Sequence, residues 1–416
     1  MLIKIALHSL ASRRTTALIT VFSIAICLFV LLGIGHIRQE AKHSFSQAVS
    51  GVDLIVGPRT GQLNLLLYSV FRLGGATNNI DWHSFQTLAK KPDVAWAIPL
   101  SLGDSHRGYP VLGTTDAYFQ YFRYGNQQPL GFTEGGPFEQ PFDVVIGAEV
   151  ASQLDYRIGE SLVLAHGMAA TSFSLHRDSP FEVTGILKPT GTPVDRTLHI
   201  HLKDLDSIHR DWQSGTRVTS HQHTNSGQEQ DLDPDSVTAI LIGVNNRLST
   251  FRLQREINRY PDEPLMAILP GVALSELWQL MSWVEKTLGF IALLVLFASL
   301  LGLATMLLST LQQRQREIAL LRILGLRPLT LLMLLELEAL LLVAAGAVVA
   351  VGLLKGALTV AGPMLGERYG LFLSDQIITV TTLNALGLAF VTTFVIALIP
   401  AISAYRRGLH SGLENH

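Results

Sequence analysis

The segment "LGFIALLVLFASLLGLATMLLSTL", Leu288–Leu311, contains no charged residue. A helix of this length rises about 36 Å, enough to cross a hydrocarbon layer of about 30 Å. It is followed at once by "QQRQREIALLRILGLRP", Gln312–Pro328, in which Arg314, Arg316, Arg322 and Arg327 stand among Ile318, Leu320, Leu321, Ile323 and Leu324. Then a second apolar run begins, "LTLLMLLELEALLLVAAGAVVAVGLL", Leu329–Leu354. Two greasy helices joined by a short basic hairpin imply a membrane protein, and the rest of the chain is read from there.

Two further runs match the pattern: Ala17–Gly35 and Val380–Ile402. The composition agrees, with 15% charged residues and a mean hydropathy of +0.33, where soluble chains carry about 25% charge. Four transmembrane helices are therefore expected, at 17–35, 288–311, 329–354 and 380–402. The first has the basic start of a secretory signal, but its apolar run exceeds the usual ~7–15 residues and no small-x-small cleavage site follows. It reads as a retained anchor. Basic residues set the orientation. Lys4, Arg13 and Arg14 precede the first run, the four hairpin arginines follow the second, and Arg406 and Arg407 follow the fourth, whereas the 355–379 loop holds only Lys355 and Arg368. Both termini (1–16 and 403–416) and the 312–328 loop are expected in the cytoplasm, and 36–287 outside. That exterior segment carries 20 Lys and Arg against 27 Asp and Glu. Its acidity argues against nucleic acid or anionic headgroups as its partner. Cys27 is the single cysteine, so no internal disulfide is possible.

Within 36–287 the patterns alternate. "HIRQEAKHSFSQAVSG" has helical spacing, with Gly51 as its C-cap; "VDLIVG" is a strand; "IDWHSFQTLAKKPDV" is a helix opened by Asp81; "AWAIPLSLG" and "YPVLGTT" are strands. Residues 117–235 form a β-rich insert: "DVVIGAEVASQL" is strand then helix, and "IGESLVLAHG", "TSFSLHR" and "FEVTGILKP" are short strands. "RVTSHQHTNSGQEQDLDPDS" is polar and reads as a loop. The α/β pattern of 36–116 returns in 236–287, with strands at "VTAILIGVN" and "PLMAILPG" and a helix at "LSTFRLQREINRY". It ends in "ALSELWQLMSWVEKTLGF", a helix that enters the second span without a breaker. The expected fold is thus a four-helix membrane protein with a large α/β plus β-rich extracytoplasmic domain between helices 1 and 2.

No GxxxxGK[ST], HExxH, GxSxG or CxxC motif is present, so a nucleotide phosphate loop and a catalytic role are not expected. The hairpin, helical by residue type from Gln312 to Leu324, is apolar around nearly its whole circumference. A surface helix needs one apolar face for lipid. The surplus is explained either by a cytoplasmic protein docked on it or by packing on its own bundle, with the arginines as topology anchors. Glu336 and Glu338 fall inside the third run. Each is costly in lipid, and two residues apart they point about 200° from one another; an interior structural role is favoured over proton translocation. Histidines cluster at His199, His201, His209, His221 and His223. The pairs His199/His201 and His221/His223, with Asp204, Asp206 and Asp211 nearby, are candidates for a Zn²⁺ site, against the plainer reading of a solvated surface.

The hairpin "RQREIALLRILGLRP" closely resembles the cytoplasmic loop of MacB/FtsX-type ABC transporter permeases, with its pattern R-x-x-E-I-x-x-L-R-x-L-G. The matching residues are Arg314, Glu317, Ile318, Leu321, Arg322, Leu324 and Gly325. Glu338-Ala339, the entry segment "IALHSLASRRTTALITVFSIAI" and "GVDLIVG" resemble the same family. The resemblance implies a permease dimer, most simply a homodimer, in the bacterial inner membrane. It implies that these seven residues contact a cytoplasmic ABC ATPase. ATP and Mg²⁺ would sit on that separate chain, this chain binding no cofactor. Work would be done by the exterior domain on a lipoprotein, lipid, peptide, small molecule or periplasmic protein. Two alternatives remain: a transmembrane regulator that activates an exterior enzyme such as a cell-wall hydrolase, and a metal-handling module using the His-rich loop.

Overall fold

The computed structural model describes residues 2–167, 179–210, 212–213, 216–217, 233–313, 328–369 and 376–410. The chain divides into two compact units, one of residues 1–41, 281–366 and 372–416 and one of 42–280 with 367–371.

The first unit is helical. Its elements are α1 (Leu2–Ser12), most of α2 (Arg14–Gln47), the C-terminal part of α9 (Pro270–Gln313), α10 (Pro328–Tyr369) and α11 (Val380–His410). The last four carry the apolar windows long enough to cross a membrane. Only 33–44% of each window is buried. Leu18, Phe22, Phe290, Val348, Val391 and Ile399 face outward, which costs nothing in hydrocarbon. The buried faces meet around Ile24, Leu28, Leu300, Leu303, Leu342, Val343 and Ala397. Small and polar residues draw the helices together. Ser23 Oγ lies 3.1 Å from Ser299 Oγ, and Thr381 donates to Gln39 at 2.7 Å. A Cβ on Gly346 would lie 2.8 Å from Ile24 Cγ2, so the α2–α10 approach requires glycine there. Residues 355–369, read from the sequence as part of a connecting loop, continue α10. Charge ends an apolar window but does not break a helix, whose backbone bonds persist in water.

The second unit is built on a sheet of eleven strands: β1 (Leu54–Pro58), β2 (Val94–His106), β3 (Tyr109–Thr114), β4 (Phe132–Gly135), β5 (Asp143–Ile146), β6 (Ser161–Leu162), β7 (Ala165–His166), β8 (Phe181–Leu187), β9 (Leu198–His201), β10 (Ala239–Val244) and β11 (Leu265–Ile268). The order is β11-β1-β10-β2-β3-β9-β5-β8-β4, with β7 pairing β2 and β6 pairing β8. β9 runs parallel to β3, and β8 parallel to β5. The strands of the β-rich insert therefore extend the sheet begun by the flanking α/β segments. The hinge between the halves is β2, whose first part pairs with β10 and whose last part pairs with β3 and β7.

Short helices cover the sheet: α3 (Gln62–Phe71), α4 (Trp82–Ala89), α5 (Ala117–Tyr121), α6 (Ala148–Leu154), α7 (Leu202–Arg210) and α8 (Thr250–Ile257). Asp81 caps α4 as its position suggests, Oδ1 accepting from His83 N at 2.7 Å. β8 buries Phe181, Val183 and Leu187 in alternation. β1 is buried on both faces, and a Cβ on Gly57 would collide with Leu65 of α3. α3 and α7 are elements to which the sequence patterns assign nothing. "QLNLLLYSVF" is apolar on most sides and lacks a clear helical stripe, because it is buried by tertiary packing rather than at a water boundary. The segment "TSFSLHR", most of the 217–236 loop and the hairpin 314–327 lie outside the described residues.

One prediction follows from the helical unit. Gly346→Val should destabilise the detergent-solubilised protein by about 1–3 kcal/mol, the usual cost of overpacking, seen as a lowered thermal-melting midpoint. An unchanged midpoint would mean the α2–α10 approach is not close.

Candidate functional site

The decisive element is α9, Pro270–Gln313, an unbroken helix of 44 residues. Pro270 starts it at the position where a missing N–H costs nothing. Its first turns belong to the sheet-bearing unit. There Trp278 sits edge-on to Phe45 of α2 at 5.7 Å, and Phe45 stacks on Phe71 of α3 at 4.4 Å. Ala273, Leu274 and Leu277 join the same apolar cluster. Further along, within the helical unit, Arg38 Nε of α2 meets Glu285 of α9 at 2.8 Å. That pair is exposed on the arginine side and contributes at most about 1 kcal/mol; the aromatic clasp, half-buried and packed against the core, does more to hold the two helices.

Of the residues singled out from sequence, Arg314, Glu317, Ile318, Leu321, Arg322, Leu324 and Gly325 lie outside the described residues. Glu336 and Glu338 are both buried on α10, at 6% and 3% exposure. Both therefore face protein and not lipid. Among the described residues neither carboxylate oxygen of Glu336 has a hydrogen-bond partner, an expensive arrangement for a charged group.

The histidines separate. His199 is fully buried on β9, its Nδ1 3.2 Å from the Val145 carbonyl and its ring beside Tyr118 and Phe119. Burial, then the charge of nearby Arg72, push its pKa down to about 3. It is a neutral core residue. His201 shares the strand and caps α7, accepting from Lys203 N at 3.3 Å. His221 and His223 lie outside the described residues. Asp204 accepts from Phe142 N at 3.0 Å, a bond that ties α7 to the start of β5. His209 goes elsewhere. Its Nε2 is 3.1 Å from Asp104 Oδ2 and 3.2 Å from His166 Nδ1. His166 Nδ1 is in turn 3.3 Å from Asp104 Oδ1. The three form the one group among the described residues with metal-ligand spacing. Burial on its own lowers the His209 pKa, but the hydrogen bond and charge of Asp104, with Asp206, outweigh it and hold it above the usual value. Asp104 and His166 escape sequence reasoning because they are 105 and 43 residues from His209. Only the β2–β7 register, which sets His166 opposite Asp104, brings them together.

Two family models account for most of the chain. The MacB-like periplasmic core domain matches residues 17–260 and the FtsX-like permease C-terminal domain residues 289–409. The chain belongs to the MacB/FtsX-type ABC transporter permeases. Among solved structures, the periplasmic region of MacB from Actinobacillus actinomycetemcomitans is similar over 56% of this chain and 97% of its own, at 9% identity and a TM-score of 0.35. The extracellular domain of the noncanonic ABC-type transporter YknZ from Gram-positive bacteria is similar over 52% of this chain and 98% of its own, at 12% identity and a TM-score of 0.31. No curated protein matches. The permease is a multi-pass membrane protein, and its four apolar helices and its α/β unit between the first two are those expected from the sequence.

His199 makes the permease acid-sensitive. Its folded pKa lies below the unfolded value of about 6.5, so the stability it allows is complete above that value. It is lost as pH falls from there toward 3, by about 1.4 kcal/mol per pH unit for this group alone. His199→Gln should flatten that part of the pH–stability curve, measured by thermal melting between pH 7 and 4. A curve parallel to the wild type would contradict the neutral, buried assignment.

Proposed function

We propose that this permease subunit couples ATP hydrolysis by a separate cytoplasmic ABC ATPase to movement of its sheet-bearing unit outside the membrane. In this reading two copies sit in the bacterial inner membrane with both termini cytoplasmic. Each contributes the 312–328 hairpin as the docking element. ATP and Mg²⁺ are held by the ATPase. The work is export or extraction of a lipoprotein, lipid, peptide or small molecule.

The continuity of α9 carries the proposal. A helix held by i→i−4 bonds resists axial compression and shear. α9 starts directly after β11 and ends one residue before Arg314. Displacement at its cytoplasmic end therefore has an unbroken path to its first turns, where Trp278, Leu274 and Leu277 are packed into the exterior core. The surplus apolar circumference of the hairpin supports a docked protein over an anchor alone. Glu336 and Glu338, both buried at the same end of α10, serve in this reading as interior polar contacts of the bundle.

Two experiments divide the proposal. Replacing Arg314, Glu317 and Arg322 together with alanine should abolish co-purification with the cognate ABC ATPase and leave membrane insertion intact; normal pull-down would remove the hairpin's docking role. Trp283→Pro should break the α9 ladder, at about 3 kcal/mol or more locally. It should preserve ATPase binding and abolish the ATP-dependent change in spin-label distance between paired sites on the exterior unit. An unaltered distance change in Trp283→Pro would rule out α9 as the transmitting element.

A further inference from the structure

The structure assigns a metal site to Asp104, His166 and His209: we infer that the exterior unit binds a divalent transition-metal ion of the Zn²⁺ class there. The site is independent of the proposed coupling mechanism and distinct from the histidines of the polar loop.

The three ligand atoms form a nearly equilateral triangle, with edges of 3.2 Å (His166 Nδ1 to His209 Nε2), 3.3 Å (His166 Nδ1 to Asp104 Oδ1) and 3.2 Å (His209 Nε2 to Asp104 Oδ1). Zn²⁺ binds imidazole nitrogen at about 2.0–2.1 Å and carboxylate oxygen at about 2.0–2.2 Å, so tetrahedral angles put ligands about 3.3–3.4 Å apart. The triangle is the right size for three corners of such a tetrahedron, before any adjustment on binding. Octahedral Mg²⁺ at about 2.0–2.1 Å would require edges nearer 2.9 Å, and both Mg²⁺ and Ca²⁺ prefer all-oxygen donors. Two imidazoles and one carboxylate select the borderline transition metals instead.

A cation at the centre lets all three atoms present lone pairs to one point, beside Asp104, whose side chain is wholly buried.

The ligands come from three elements of the exterior unit, the end of β2, β7 and the last turn of α7, so an ion would clip them together. His166 is 57% exposed and His209 31%, which leaves the fourth position open to water. Three protein ligands with an open position mark an exchangeable site and not a closed structural one. Asp206, electrostatically coupled to His209, and the acidic excess of 36–287 favour cation approach.

The test uses the full permease, purified in detergent and stripped with a chelator. Zn²⁺ alone is titrated in competition with a chromophoric chelator. The wild type should take up one tight equivalent. His166→Ala, at an exposed position, should lower that affinity by more than about 100-fold, beyond the range seen for outer-sphere partners, and His209→Ala should do the same. A His221→Ala/His223→Ala double variant should retain the tight equivalent. The metal-free melting midpoint of His166→Ala should equal that of the wild type, while the Zn²⁺-induced rise in midpoint is lost. Should His166→Ala melt lower without metal, Co²⁺ added to the wild type decides: visible ligand-field bands of a tetrahedral site support the assignment, and their absence overturns it. An affinity in His166→Ala within about threefold of wild type, or loss of the tight equivalent only in the His221/His223 variant, also overturns it.

Discussion

A peptide group inside hydrocarbon has no water to bond, so the chain must satisfy every N–H and C=O within its own helix while it crosses. In this permease that requirement is met by four apolar helices, and in α9 it extends beyond the apolar window. Nothing in Ala273–Phe290 interrupts the ladder: no proline follows Pro270, and Gly271 and Gly289 are tolerated within helical backbone. The same bonds that allow α9 to cross run on without a break to its first turns. The coupling proposed for this protein depends on that continuity more than on any single contact. The Arg38–Glu285 pair illustrates the point, because an exposed ion pair adds little that the aromatic clasp of Phe45, Phe71 and Trp278 does not already supply.

Outside the helical unit the corresponding constraint is β2. A strand of 13 residues is long for a sheet of this kind, and it pairs with β10 along one stretch and with β3 and β7 along another. A single strand thereby makes one sheet of segments that differ in composition. It also carries Asp104 past the main body of the sheet to the position where His166 and His209 converge. The convergence of these side chains is thus set by sheet register.

Buried polar groups mark where packing has overruled solvation. His199 is kept neutral by burial and by Arg72, and it lies among aromatic rings where a solvated histidine would not persist. Glu336 and Glu338 are both screened from lipid by the bundle despite pointing to different sides of α10. A helix enclosed on more than one side can bury two residues 200° apart. A helix packed on one side alone could not.

Much of this protein is legible in its sequence. Length and hydropathy alone locate the four spans, because crossing about 30 Å of hydrocarbon admits few other solutions. The pattern around Arg314, Glu317 and Arg322 points to the family, short apolar runs locate β1, β2 and β10, and period-two alternation locates β8. Asp81 announces the start of α4 because a cap is a local bond. Other features were decided by tertiary structure. α3 has no amphipathic stripe because neighbours cover it on several sides, and α10 outruns its apolar window because charge does not break a helix. Of the histidines seen as a cluster in sequence, His199 went to the core, His201 to the start of α7 and His209 to a three-residue site. Ligand convergence depends on strand register and helix docking across 105 residues of chain, and no local pattern encodes a distance set by which strands become neighbours.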